Sequence, residues 1–497
     1  MTLRIYDTRK KHKLDFVPLQ PGKVGLYACG ITVYDICHVG HGRMLVAFDV
    51  IVRHLRAAGY QVRFVRNVTD IDDKIIRRGN TEGITAEAVA KKYMDAMAAD
   101  QASLGIAPPD DEPLATKHVP EIIALIEKLC ERGLAYPAGG DVYFAVPKFP
   151  SYGALSGQSI DDLKSGARIE IGEQKHSPLD FALWKAAKPG EPRWESPWGP
   201  GRPGWHIECS AMSQTFLGET FDIHGGGSDL IFPHHENERA QSEGAFGLGT
   251  FAQHWLHSGM VNFGGEKMSK SLGNVVSIRK VAETHDLEAL RLLFVSVHYR
   301  SPVSFEIGKD ANGETTFPDL DEAEERLDYF YRTLQRLDAA GLPAGDPGAV
   351  AAGPVVAPAD RTAAAFREAM DDDFNTAAAV GHLYESFVLA NKLLDEPKSA
   401  PKDVRQRTLA RLRDDLRACG ETLGIFRRVP SEFLEARRAR LCKRRNIDAA
   451  AIEARIVERT QARAAKDFAR ADELRNALKA QGIELMDTAA GTTWRVA

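Results

Sequence analysis

The sequence predicts an α/β fold, a Rossmann-type doubly wound parallel sheet split by an insertion and followed by mainly α-helical C-terminal domains. Three observations carry this. First, an apolar run from Val24 to Tyr27 ends in Cys29-Gly30 and is followed by a helical pattern with Met44, Leu45, Phe48, Ile51, Val52 and Leu55 on one face. Second, β-branched and aromatic residues resume from Gln61 to Val68, completing strand, loop, helix, strand. Third, Phe221-Asp222-Ile223-His224 and the stretch from Trp255 to Val261 read as strands of a second half. Ligands of such sheets lie beyond the carboxyl ends of the strands. The segment His38-Val39-Gly40-His41 sits at that point.

A chain of 497 residues is too long for one ordinary core. Residues 1–320 are expected to form the nucleotide-type domain, with the insertion at about 84–211. Residues 321–360 read as a connecting helix and a Gly/Pro/Ala-rich linker, 361–428 as a helical bundle, and 429–497 as a small C-terminal domain. Phe366, Met370, Phe374, Leu383, Phe387, Leu393 and Leu394 are core candidates of the bundle. The last unit is expected to carry one helix with Ile452, Ile456, Val457, Phe468, Leu474 and Leu478, ending at Gly482 before two short strands.

Met1 to Lys13 lacks an apolar stretch followed by a small-residue cleavage site, and no run of about 18 apolar residues occurs. A soluble, cytoplasmic protein with no membrane partner is expected. Six cysteines without regular spacing read as reduced thiols rather than a disulfide framework. The net charge of −5 does not advertise a polyanion partner, but six of the nine residues from Arg437 to Arg445 are Lys or Arg. Arg455, Arg459, Arg463, Lys466, Arg470 and Arg475 extend that face. Of the chain's segments it best suits a nucleic-acid backbone, although a solvated charged helix would look much the same.

Two motifs read as halves of one phosphate-handling site. His38 and His41 bring imidazole donors to a helix N-terminus, where a phosphate chain is favoured. Lys267-Met268-Ser269-Lys270-Ser271, flanked by Gly264-Gly265 and Gly273, is a cationic loop suited to closing on a triphosphate. His38 and His41 are assigned to the α-phosphate and bridging oxygens of ATP, and Lys267 and Lys270 to its β- and γ-phosphates. In His224-Gly225-Gly226-Gly227-Ser228-Asp229 the missing side chains let backbone approach a base or ribose, or simply make a tight turn. Cys29, Cys209, His234 and Glu238 suit zinc in type and number. His234 and Glu238, four apart, share a helical face, although dispersed Cys and His are also ordinary core residues.

These motifs, with the segments Tyr27–Asp35, Asn67–Lys74, Gly204–Met212 and Phe221–Glu238, resemble the class I aminoacyl-tRNA synthetases and, within them, the cysteinyl-tRNA synthetase family. Val39 stands where that family usually has Ile, and the polar segment 308–316 departs from its pattern. The resemblance implies ATP-dependent activation of L-cysteine to cysteinyl-adenylate, then transfer to the 3′-terminal adenosine of tRNA(Cys), through its 2′-OH. It implies one Zn²⁺ per chain on Cys29, Cys209, His234 and Glu238, and Mg²⁺ with the ATP. It places Gly40, Gly226, Asp229 and Lys270 against ATP, Thr69, Trp205 and His206 around the amino acid, and the tail units against tRNA, in a monomer. Trp494 either stacks on a splayed base or packs the terminus.

Zinc would separate cysteine from its near-isostere serine, because a thiol near pKa 8.5 is deprotonated by the metal far more readily than a hydroxyl. A substrate thiolate as an added ligand is expected; a closed structural zinc is the competing reading. Two other functions share these residues: a cysteine ligase with a small amino-sugar acceptor, and a non-catalytic zinc protein that binds RNA. The long tail argues against the first, and the complete set of His38, His41, Lys267 and Lys270 against the second.

Overall fold

A computed structural model describes residues 2–159, 174–247, 249–263, 266–267, 275–310, 313–343, 354–488 and 491–496. Four parallel strands form the central sheet in the order Ala252–Ser258, Phe221–Gly227, Lys23–Ala28, Gln61–Arg66. From Lys23–Ala28 the chain builds outward through the helix Val39–Ala57 to Gln61–Arg66, then returns to add Phe221–Gly227 on the other side. The order reverses at Lys23–Ala28, which makes its carboxyl end the switch point where ligands bind. There Cys29 N–H donates to the Gly225 carbonyl at 2.9 Å, drawing the two strand ends together.

Burial is deepest toward the carboxyl ends of the strands, where Tyr27, Ala28, Phe64 and Val65 are covered. Phe221–Gly227 is buried throughout, and the helix Val39–Ala57 buries Val39, Leu45, Val46, Phe48, Ile51 and Leu55. The reading of Trp255 to Val261 as one strand needs correction. The strand is Ala252–Ser258, and after Gly259 the chain starts a second, parallel pairing of Val261–Phe263 with Val303–Phe305.

Between the two halves lie the helices Asp73–Glu82, Ala86–Ser103 and Val119–Glu131 and a four-stranded antiparallel sheet, Ala135–Ala138, Asp141–Phe144, Phe181–Ala186 and Gly201–Pro203. Phe144, Leu183 and Trp184 pack this sheet on Ile122, Ile126 and Leu129. The polar segment 308–316 contains a short antiparallel pairing of Gly308–Lys309 with Thr315–Thr316.

Beyond it come the long helix Pro318–Ala339 and the bundle helices Thr362–Asp371, Thr376–Asp395 and Lys402–Leu423. Phe366, Met370, Phe374, Leu383, Phe387 and Leu393 are buried as expected, with Leu394 partly so. Their core is continuous with that of the sheet domain rather than separate from it. Buried Arg291 pins this junction, donating to the Leu423 carbonyl at 2.8 Å and to those of Leu104 and Gly105 at 3.2 Å. Residues 344–353 of the expected linker lie outside the described residues.

The C-terminal unit corrects two expectations and decides between the two readings of Trp494. Its helix is two, Ala449–Ala464 and Phe468–Ala480, broken at Lys466, whose φ of +62° is incompatible with a continuing helix. Val457 and Phe468, expected inside, are 55% and 62% exposed. Trp494, in contrast, is 4% exposed and packs the terminus. Its Nε1–H donates to Glu453 and Arg438 lies over its ring at 4.9 Å, so no face is left for a base.

Candidate active site

At the switch point, His38 caps the helix Val39–Ala57. Its Nδ1 accepts from His41 N–H at 3.2 Å, and His41 Nδ1 accepts from His38 N–H at 3.4 Å. The predicted motif is thus a reciprocal cap built from two imidazoles at the positive end of a 19-residue helix. A cavity of about 320 Å³ opens in front of it. His38, Gly40 and His41 line one part, Asp229 and Gly227 another, and Trp205 a third.

Gly226 itself does not line the cavity. A Cβ there would stand 2.9 Å from Leu230 and 3.0 Å from His235, so the missing side chain makes room for these, and Gly227 faces the opening instead. The sequence reading also missed Thr32, Tyr34, Lys74 and the wall from Ser258 to Val261. Lys267 begins the cationic loop as part of the two-residue strand Glu266–Lys267, paired with Val261–Phe263. Lys270 lies outside the described residues.

Behind the cavity the four predicted metal donors converge. The donor atoms of Cys29, Cys209, His234 and Glu238 lie within 4.8 Å of one another, all buried. Cys29 Sγ is 3.1 Å and His234 Nε2 3.0 Å from Glu238 Oε1. Cys29 follows the strand Lys23–Ala28, Cys209 comes from the helix Trp205–Leu217, and Glu238 from the helix Glu236–Phe246. His234 lies one turn earlier, in the wide turn Ile231–His235, so the expected single helix is kinked but the four-residue spacing still aligns both donors.

The electrostatics of this cluster favour a cation. The hydrogen bond from the Cys29 thiol draws Cys209 down to about 6, whereas burial and the neighbouring Cys209 push Cys29 up. Burial opposes it, but His224 and His234 hold Glu238 well below the usual carboxylate range. Two thiols, an imidazole and a carboxylate in one dry cluster fit Zn²⁺ by donor chemistry.

A shell of further histidines surrounds the donors. His224 Nε2 bonds Glu238 Oε2 at 2.8 Å and stacks on Trp255, with centroids 4.6 Å apart. His235 Nδ1 meets His257 Nε2 at 2.7 Å, and burial pushes His257 down to about 3, so it stays neutral. Such outer bonds fix ring orientation. His235 and His224 also lie with Cys29 and Glu238 in a second group of possible metal donors, which the sequence reading did not single out.

Trp205, which lines the cavity, and His206, which does not, both meet His234. The Trp205 ring lies 4.3 Å from that of His234, and His206 Nδ1 meets His234 Nδ1 at 2.9 Å. Thr69 is buried beside them, donating from Oγ1 to Glu208 Oε2 at 3.2 Å.

Fold and site together define a class I aminoacyl-tRNA synthetase. The family model for the tRNA synthetases class I (C) catalytic domain matches residues 15–311, and that for the DALR domain matches residues 365–427. The cysteine–tRNA ligase of Geobacter metallireducens is 50% identical over 504 residues, spanning 100% of both chains. That of an Anaeromyxobacter species is 51% identical over 502 residues, again across 100% of both. The chain belongs to the cysteine–tRNA ligase family. Among solved structures, methionyl-tRNA synthetase of Mycobacterium tuberculosis with methionyl-adenylate superimposes with a TM-score of 0.59, covering 83% of this chain and 93% of that one at 17% identity. A putative arginyl-tRNA synthetase from Campylobacter jejuni gives 0.55, covering 82% and 94% at 14% identity. At such identities the likeness is one of fold.

Proposed function

We propose that this enzyme activates L-cysteine with ATP and transfers it to the terminal adenosine of tRNA(Cys). One observation carries the reading: the cavity that holds the His38–His41 cap and Asp229 also holds Trp205, whose ring lies on His234 of the metal cluster. Trp205 thus links the nucleotide end of the proposed site to the metal cluster behind it.

In the first step the cysteine carboxylate attacks the α-phosphorus, forming the mixed anhydride and releasing pyrophosphate. No protein nucleophile is needed, so catalysis consists of positioning and charge stabilisation. His38, His41 and the helix N-terminus behind them face the charge that develops on the α-phosphate. Lys267 and Lys270 are read as neutralising the leaving pyrophosphate, and Mg²⁺ as accompanying the ATP. Asp229 accepts from the ribose, and Trp205, His206 and Thr69 orient the amino acid. Zn²⁺ held by Cys29, Cys209, His234 and Glu238 would supply selectivity for a thiolate over a hydroxyl. In the second step a ribose 2′-OH attacks the activated carbonyl and AMP leaves.

The exposed Phe468, beside Lys466 and half-exposed Arg463, replaces Trp494 as the aromatic suited to stack on an anticodon base. Six cysteines without a disulfide fit a reducing, cytoplasmic setting, and we read the protein as a monomer. Among the described residues no helix is long and apolar enough to cross a membrane.

Cysteine-dependent ATP–pyrophosphate exchange, followed by transfer of labelled cysteine to total tRNA with serine as control, tests the proposal. Exchange with transfer is expected. Exchange without transfer would favour the small amino-sugar acceptor, and absence of exchange would leave a binding protein.

A further inference from the structure

The strap 297–301, between the helix Leu287–Val295 and the strand Val303–Phe305, is gripped from two domains. From the sheet domain Arg43, only 2% exposed, donates to the carbonyls of Val297 at 3.3 Å, His298 at 2.7 Å and Ser301 at 3.4 Å, and to that of Phe294. From the helical domain Asp373, 0% exposed, accepts from Tyr299 Oη–H at 3.0 Å and Arg300 Nε–H at 2.7 Å, and from Tyr6 N–H at 2.8 Å.

Between the two grips the strap supports the cavity wall. Gly259 N–H donates to the Tyr299 carbonyl at 2.8 Å, and Val303 N–H to that of Met260 at 2.9 Å. A Cβ on Gly259 would stand 2.2 Å from the Ser301 carbonyl oxygen, so strap and wall touch through bare backbone. Gly259 and Met260 line the cavity, next to Ser258, whose strand pairs it with Gly227.

Asp373 and Phe374 hold φ values of +66° and +51°, a left-handed pair that non-glycine residues seldom adopt. Such backbone persists where its surroundings over-determine it, often at functional positions. Here the turn aims one carboxylate at three donors from two other segments.

We infer that Asp373 is a positioning residue for the nucleotide pocket: through Tyr299 and Arg300 it sets the strap, and the strap sets the wall Gly259–Met260. The inference rests on reading the cavity as the ATP site. It means that a residue beyond the matched catalytic segment 15–311, inside the DALR segment 365–427, completes that site. Among the described residues, none of the four metal donors bonds to the strap, so the effect falls on the nucleotide rather than on cysteine.

The test is steady-state ATP–pyrophosphate exchange by the full chain carrying Asp373→Asn, and separately Tyr299→Phe, which removes one hydroxyl and little else. For Asp373→Asn, KM for ATP rises about fivefold or more, the worth of a buried charge-assisted hydrogen bond, while KM for cysteine stays within about twofold. Tyr299→Phe moves KM for ATP in the same direction by less. An unchanged KM for ATP in Tyr299→Phe and in any folded Asp373→Asn, or a parallel rise in both KM values, would overturn the inference. Wild-type protein that exchanges nothing with cysteine would instead overturn the reading beneath it.

Discussion

The rings of His38 and His41 are stacked, with centroids 3.5 Å apart and planes 20° apart, and each Nδ1 accepts the other's backbone N–H. Because both Nδ1 atoms are acceptors, this hydrogen-bond pattern assigns the proton of each neutral ring to Nε2. The cap that folds the helix start therefore also fixes the orientation of two imidazoles that line the cavity. Asparagine caps helices as well as histidine does but lacks that distant donor. His38→Asn is expected to keep its thermal midpoint and to lose about 10²–10³ in exchange rate, the usual cost of one transition-state donor. A fall in midpoint with an intact rate would reverse the assignment.

His224 donates to Glu238 Oε2, while Cys29 and His234 meet the other oxygen, Oε1. Loss of such a second bond typically weakens metal binding about 10- to 100-fold. His224→Asn should show that loss in competition with a zinc-selective chelator while its bound-metal stoichiometry at saturation stays unchanged. Removing the metal from the wild type should abolish cysteine activation; retained exchange in metal-free protein would show that the cluster serves structure only.

How much of this was legible in the sequence depended on the range of each signal. The helix Val39–Ala57 announced itself because apolar spacing is local, whereas the reciprocal cap of His38 and His41 is a finding of the structure. The metal quartet was legible as donor types, yet only the sheet's switch point brings Cys29 beside Cys209. The wall Ser258–Val261 was not legible, since Gly259 marks no turn of its own; it is required by the approach of Ser301 from a distant segment. Nor was the fate of Trp494, since an aromatic near a chain end carries no sign of whether it is covered. The partners of the run Arg437–Arg445 were hidden for a related reason: composition shows charge but not the acids on the helix Pro318–Ala339 that Arg437, Arg440 and Arg444 meet.

Phe468 opens its helix largely exposed, one residue after the Asp467 cap. Stacking of one base on an aromatic is worth about 1–3 kcal/mol. Phe468→Ala should therefore reduce kcat/KM for tRNA charging by about 5- to 100-fold and leave pyrophosphate exchange unchanged. Equal loss in both assays would place its effect elsewhere. Trp494→Ala, which empties a small core, should lower stability first.

Glu288 accepts from Phe426 N–H at 2.7 Å and from Tyr331 Oη–H at 2.9 Å, yet burial raises its carboxyl above the ordinary range. A raised folded value means that the native state binds the proton more tightly than the unfolded chain. Its contribution is thus complete below about pH 4.3 and is lost as pH rises through the folded value. Glu288→Gln keeps an acceptor for Phe426 and does not titrate. In denaturant titrations the stability of the variant relative to wild type should grow between pH 4 and pH 7; a shrinking difference would contradict the burial argument.

Arg437 shows what the basic run does. It is buried, bonding Asp328 at 3.2 Å and facing Glu324 at 3.9 Å, while Arg440 bridges Asp286 and Glu324 and Arg444 reaches Asp321. These arginines fasten the helix Pro430–Arg444 to the catalytic side of the chain, and a cation so engaged releases no counterions on meeting RNA. Arg437→Ala leaves two buried carboxylates short of a partner. Because Arg332 and Arg440 still serve them, the cost should fall at the low end for a broken buried pair, about 3 kcal/mol. The salt dependence of tRNA binding should stay as in the wild type. Lys443 on the same helix is exposed, and Lys443→Ala should leave stability alone and lower that salt slope by about one. Should Arg437→Ala change the slope and Lys443→Ala not, the run would be an RNA-binding face after all, with its ion pairs exchanged for phosphates on binding.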